Sequence, residues 1–274
     1  MPLNRKIKLA ILDMYDNAPN EGMRCLKDLA EGAGDDVEWA VFDVRHKNEL
    51  PDHRFDIYLS SGGPGSPYDG EGKEWESNFF RLVDALWAHN ANGHARKKYF
   101  FAICHSFQLL SRHFALGEVC KRKSTAFGVF PIFKTEQSKQ DRMFRRLPDP
   151  YYVVDSRDWQ LIEPNLDVFA RLGANILAME KKREHVPLPR AVMAARLSDQ
   201  FYMTQFHPEA DAEGMLRHFA KPERRETIAK NHGEWKLDEM IRNLTDPEKL
   251  PLTHSEVIPN FLRKSIQALR NSES

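Results

Sequence analysis

Apolar positions in the first half of the chain fall in short blocks separated by stretches of helical spacing. That alternation predicts a parallel sheet covered on both faces. Ile7 to Asp13 (IKLAILD) reads as a first buried strand. Met23, Leu26, Leu29 and Ala30 then predict a helix from Glu21 to Glu31, with Gly32 as its stop. Val37 to Val44 and Phe55 to Ser60 read as two more strands. The second ends in the loop Ser61-Gly62-Gly63-Pro64-Gly65-Ser66-Pro67. Trp75, Phe79, Leu82, Val83, Leu86 and Trp87 predict a helix from Glu74 to His89. The run Lys98 to Ile103 is apolar at nearly every position after Lys98, as a central strand buried on both faces would be. It meets Cys104 and passes into helical spacing from Ser106 to Leu116.

From Phe127 to Phe206 the pattern turns β-like, with strands expected at Gly128 to Phe133, Tyr151 to Val154, Ile176 to Met179, Ala191 to Arg196 and Phe201 to Phe206. Beyond Asp211 the composition shifts. Residues from about Pro222 are charged and helical, in three expected pieces separated near Gly233 and Pro247 to Pro251. Ile258, Phe261, Leu262, Ile266 and Leu269 make one apolar stripe. The expectation is an α/β fold with an open, mostly parallel sheet flanked by helices. It comprises a domain over residues 1–220 and a helical C-terminal extension over 221–274. That extension packs onto the domain, forms a homodimer contact or docks a partner.

Composition narrows the function classes. The 274 residues carry 40 Lys plus Arg and 40 Asp plus Glu, so no global field draws the chain to nucleic acid. Lys121-Arg122-Lys123, Arg145-Arg146, Lys181-Lys182-Arg183 and Arg224-Arg225 read as solvated faces. No apolar run approaches membrane-spanning length, and the N-terminus lacks a signal peptide's apolar core. Cys25, Cys104 and Cys120 are too irregular for a disulfide framework or a zinc site, which suggests a cytoplasmic protein with reduced thiols and no metal or cofactor.

Cys104 stands where a central strand passes into a helix. Such a turn projects a side chain clear of the sheet, and the helix N-terminus favours a thiolate. A small buried core residue is the competing reading of that position alone. Gln205-Phe206-His207-Pro208-Glu209 closes a strand about a hundred residues later. His207 and Glu209 share a face in extended backbone, so the carboxylate can orient the imidazole and the imidazole can serve the thiol.

Ser61-Gly62-Gly63-Pro64-Gly65-Ser66, then Ile103-Cys104-His105-Ser106-Phe107-Gln108-Leu109-Leu110, then Gln205-Phe206-His207-Pro208-Glu209 together resemble the class I glutamine amidotransferases. The GMP-synthase-like, stand-alone branch is the most similar. The resemblance spans about residues 6–220 and implies their flavodoxin-like fold. It implies that Cys104 attacks the side-chain amide of glutamine, that His207 moves the protons, and that Glu209 holds His207. It further implies an oxyanion hole from the backbone N–H groups of Gly63 and His105, and a glutamine pocket at Gln108 and Gly128. The extension is too short for a synthetase domain, so an ammonia-accepting synthetase would be another chain.

The sequence departs from the family's G-x-C-x-G elbow at Ala102 and Ser106. A serine at 106 could cap the following helix. Ser156-Arg157-Asp158-Trp159 lies where many relatives have His-x-Asp; only Asp158 matches, and Arg157 is read as a surface arginine in preference to a contact for a carboxylate. Ala-Ile-Cys-His also resembles the intracellular proteases that share this fold, which keeps His105 as a second candidate base. Two other functions stay open: a different thiol hydrolase or acyl transferase on the same scaffold, and a catalytically silent regulatory subunit.

Overall fold

The structure, a computed structural model, describes residues 5–185, 187–223, 225–226, 230 and 233–272. Nine strands form one sheet in the order β2-β1-β3-β4-β9-β8-β7-β5-β6. β1 (Ile7–Asp13), β2 (Val37–Asp43), β3 (Ile57–Ser60), β4 (Tyr99–Ile103) and β9 (Phe201–Thr204) are parallel. β5 (Glu118–Lys134), β6 (Tyr151–Ile162), β7 (Asn175–Met179) and β8 (Val192–Arg196) join by antiparallel pairing. The expected parallel sheet is thus the first half of a mixed one.

Alternation along β4 explains its place at the centre. Tyr99, Phe101 and Ile103 enter one hydrophobic cluster while Phe100 and Ala102 enter the other, so both faces are covered. On the first face lie α1 (Glu21–Glu31) and the C-terminal helix α9 (Leu250–Asn271). On the second lie α3 (Glu74–Ala91) and α4 (His105–His113), which contribute Phe79, Val83, Leu86, Phe107 and Leu110. Short helices α2 (Val44–Lys47), α5 (Glu136–Gln140) and α6 (Leu166–Leu172) complete the connections.

The extension is integral to the core. Val257, Ile258, Phe261, Leu262, Ile266 and Leu269 of α9 are buried in the same cluster as Ile7, Leu9 and Phe101. Thr253 donates to the carbonyl of Tyr152 at 2.7 Å, and Arg270 forks onto Asp36 at 2.6–3.0 Å. The apolar stripe therefore covers the sheet of its own chain. α7 (Ala212–Ala220) and α8 (Glu234–Thr245) pack with β5 and β6 around Val129, Val154, Phe219 and Met240. Of the three expected C-terminal pieces, the first falls largely outside the described residues.

β5 and β6 are much longer than expected. Their hairpin runs from Glu118 to Ile162, with a register break between Lys121 and Ala126. The Lys121-Arg122-Lys123 run, read as a solvated face, lies inside a strand. Its Arg122 is ion-paired to Glu180 at 3.0 Å.

Candidate active site

The site is built where the carboxyl ends of β1, β3 and β4 meet, the edge at which open α/β sheets bind ligands. Cys104 follows β4 directly and holds φ 48°, ψ −97°, a backbone conformation that costs a non-glycine residue about 1–3 kcal/mol. Three bonds fix the turn. The Cys104 N–H donates to Thr204 at 2.8 Å, the Gln108 N–H donates to the Cys104 carbonyl at 3.0 Å, and the Ser106 hydroxyl donates to the Ser61 carbonyl at 2.7 Å. With its only hydrogen used there, Ser106 Oγ accepts from the Ser60 hydroxyl at 2.7 Å. Ser61 in turn donates to Gly62 O and accepts from the Met14 N–H. Ser106 is therefore not the helix cap the sequence suggested. Cys104 occupies the capping position without a side-chain cap bond, and Ser106 stitches the turn to the Ser61–Gly65 loop.

That loop closes tightly on the site. A Cβ at Gly62 would stand 2.7 Å from His207 Cε1 and 3.4 Å from Cys104 Cβ, and one at Gly63 would overlap the Met14 carbonyl. Arg45 holds the same stretch by donating to Met14 O at 3.1 Å and Pro64 O at 2.7 Å.

His207 is anchored by its backbone, which bridges Val154 with an N–H···O bond of 2.9 Å. Its Nδ1 lies 2.8 Å from Glu209 Oε1, and the ring shares the cavity with Cys104. Burial works against a charge on this imidazole. The facing Glu209 and Cys104 outweigh burial and hold its pKa well above the ordinary 6.5. An acidic partner on one nitrogen and a thiol near the ring favour an imidazolium that can give and take a proton.

Cys104, His207 and Glu209 open onto one cavity of about 720 Å³. Gly63, Gln108 and Gly128 line it as well, so six of the seven residues singled out from the sequence meet there. His105 is the seventh. Its ring is 1% exposed, has no hydrogen-bond partner, and is pushed down to a pKa of about 3 by burial and by Arg45 and Arg112. A neutral ring outside the cavity lining does not suit the second-base role. Its backbone N–H still follows the nucleophile in sequence.

Three residues that sequence reasoning left without a role belong to this site. Gln205 is fully buried, its Nε2 lies 3.8 Å from Cys104 Sγ, and its Oε1 accepts from Gln108 at 3.3 Å. Gly22 and Tyr15 form the far wall: a Cβ at Gly22 would meet Tyr15 Oη at 2.5 Å and Glu209 Oε1 at 3.3 Å. Burial, then the charges of Glu209 and Cys104, push the Tyr15 phenol well above its ordinary pKa, so it is a neutral donor. The place of Tyr15 just past the end of β1 is the signal that could have found it.

Arg157 is not on the surface. Its side chain is fully buried, with Nε donating to both Asp155 oxygens at 2.9 and 3.0 Å, and Glu180 is 3.6 Å away. Asp158 lines the cavity beside Thr125, to which it is hydrogen-bonded. Cys25 also reaches the cavity, but burial pushes its thiol up to about 12, so it stays protonated at neutral pH. Among the described residues, no group of three or more His, Cys, Asp or Glu side chains is placed to hold a metal ion.

Comparison with known proteins settles the family. The family described as Glutamine amidotransferase class-I matches residues 10–221. The chain belongs to the class-I glutamine amidotransferases. No curated protein matches the chain significantly. Among solved structures, a glutamine amidotransferase from Thermotoga maritima aligns at TM-score 0.68 and 15% identity, over 95% of this chain and 98% of that one. A putative GMP synthase subunit from Thermoplasma acidophilum aligns at 0.51 and 18%, covering 78% and 92%. The glutaminase domain of a Trypanosoma brucei CTPS, solved with bound acivicin, aligns at 0.51 and 12%, covering 74% and 86%. At these identities the likeness is one of fold. In this amidotransferase, the strand ends that the fold gathers at the cavity are those that carry Tyr15, Gly63 and Cys104.

Proposed function

We propose that this chain hydrolyses L-glutamine to glutamate and ammonia through a γ-glutamyl thioester on Cys104. The observation that carries the proposal is the convergence of Cys104, His207 and Glu209 on one cavity, with a 2.8 Å carboxylate–imidazole contact behind the thiol. Cys104 Sγ attacks the side-chain amide carbon, and its proton resides on His207. The tetrahedral oxyanion takes hydrogen bonds from the backbone N–H groups of Gly63 and His105, where loss of one such donor typically costs about 3–4 kcal/mol. His207 delivers its proton to the nitrogen, the C–N bond breaks, and ammonia leaves. Water then gives a proton to His207 and attacks the thioester. The thiolate departs, glutamate forms, and the resting proton arrangement returns. Glu209 keeps the imidazole oriented throughout. Gln108 and Gly128 would hold the amino-acid end of the substrate.

The domain over residues 1–220 carries all of this machinery, and the 221–274 extension buttresses its sheet. Ammonia would pass to a synthetase on another chain. Three free thiols fit a reducing, cytoplasmic setting, and no described helix is long and apolar enough to cross a membrane. The cavity volume lies in the range that holds drug-sized ligands, which favours as second reading a larger γ-glutamyl amide, or another amide, in place of free glutamine. Glutamate and ammonia release from L-glutamine and from a panel of γ-glutamyl amides tests both. Turnover should fall at least about a thousandfold in Cys104→Ala. Turnover undiminished in that variant would refute the mechanism, and turnover confined to larger amides would select the second reading.

A further inference from the structure

The strands that carry the reactive groups at their carboxyl ends carry a cluster of cations at their amino ends. A second cavity of about 350 Å³ lies there, and seven of its eight lining residues are Arg, Lys or His. Arg5 precedes β1, Arg54 precedes β3, and Arg96 and Lys98 precede β4. In a chain of zero formal net charge this concentration is local, not a background property. We propose that this amino-terminal edge is a binding site for a small soluble anion bearing a phosphate group.

Only part of the charge is needed by the fold. Asp56 is fully buried and takes Arg96 Nε and Nη2 at 2.8 Å each, and Lys98 Nζ at 3.4 Å. Two cations therefore share one carboxylate. Arg54 pairs with Asp52 through contacts of 2.6–2.7 Å, while its side chain remains 69% exposed. Arg5 reaches the carbonyl of Arg54 at 3.4 Å. Neutralising Asp56 accounts for Arg96 and Lys98 but not for Arg5, Arg54, His53 or His94.

Lys98 marks the cavity as built. It is 5% exposed, its ammonium also donates to Phe55 O at 2.7 Å, and a buried ammonium is costly unless anions face it. Its proton affinity is pushed down by burial, which outweighs the opposing pull of Asp56, and Arg5 and Arg96 add smaller depressions. His89, whose ring stacks on His94 at 4.2 Å, is pushed down first by burial and then by His94, Lys98 and Lys97. Seven cationic or protonatable side chains line this volume against the carboxylates of Asp52 and Asp56, and an anion seated there adds a further counter-charge. Guanidinium forks match the oxygens of a phosphate group, and the volume suits a small ligand more than a chain.

The test is calorimetric titration of the purified chain with pyrophosphate, inorganic phosphate and adenosine monophosphate. The comparison protein is the Arg54→Gln, His94→Gln double variant. Both positions are exposed, so the variant should keep the wild-type melting temperature, which is checked first. The expected result is saturable one-to-one binding of at least one probe, weakened tenfold or more in the double variant and by added salt. No saturable binding, equal affinity in the double variant, or binding only to vesicles carrying phosphorylated headgroups would overturn the proposal.

Discussion

Ser106 lies fully buried beneath the turn that carries Cys104, and its hydroxyl joins that turn to both Ser60 and Ser61. Replacing it with alanine leaves the Ser61 carbonyl and the Ser60 hydroxyl short of a partner in a buried site. Ser106→Ala should therefore cost about 1–3 kcal/mol, read as a shift in the urea midpoint, and should lower turnover as the strained Cys104 backbone relaxes. Unchanged stability would mean that the turn does not depend on this link. From sequence, Ser106 could be judged only by what it replaced, because its partners are 45 and 46 residues away. Arg157 was hidden for a different reason: Asp155 is a near neighbour in sequence, but nothing there shows that the pair is buried, or that Glu180 approaches from a neighbouring strand connection. The meeting of Cys104, His207 and Glu209 at one cavity was legible because it follows from residue type and strand-end position. Tyr15 offered only its place just past β1, and Gly22, in the first turn of α1, disclosed nothing of the wall it forms until the fold closes.

At the scale of elements, buried periodicity was a good guide and polar strands were not. IKLAILD is β1 at both ends, and helix α1 has the expected bounds. β5 and β6 outran expectation because residues such as Lys121 to Thr125 are strand-bound while largely solvent-facing, so alternation of apolar side chains is lost there. The C-terminal stripe was visible, but its destination was not: an amphipathic helix looks the same whether it covers its own sheet or a partner. α9 covers the sheet. Phe261 is fully buried and meets Phe101 at a ring separation of 5.2 Å, edge to face. Phe261→Ala should destabilise the whole chain by about 3–5 kcal/mol, measured by urea or thermal unfolding. A loss below about 1 kcal/mol would show α9 to be peripheral to the core.

Across the whole molecule, the parallel half of the mixed sheet presents two chemically different ends. The carboxyl end gathers a thiol, an imidazole and a carboxylate around a large cavity, and the amino end gathers cations around a smaller one. Net charge and local runs concealed the second end, since its Arg and Lys come from three separate connections that only the sheet brings together. The first end carries the central claim, and its most direct test is covalent. The chain is incubated with acivicin, with and without excess L-glutamine, digested, and mapped by mass spectrometry. The account predicts a single adduct on Cys104, suppressed by glutamine and absent from Cys104→Ser, with Cys25 unmodified because burial keeps its thiol protonated. No adduct, or an adduct on Cys25 or Cys120 that glutamine does not suppress, would contradict it.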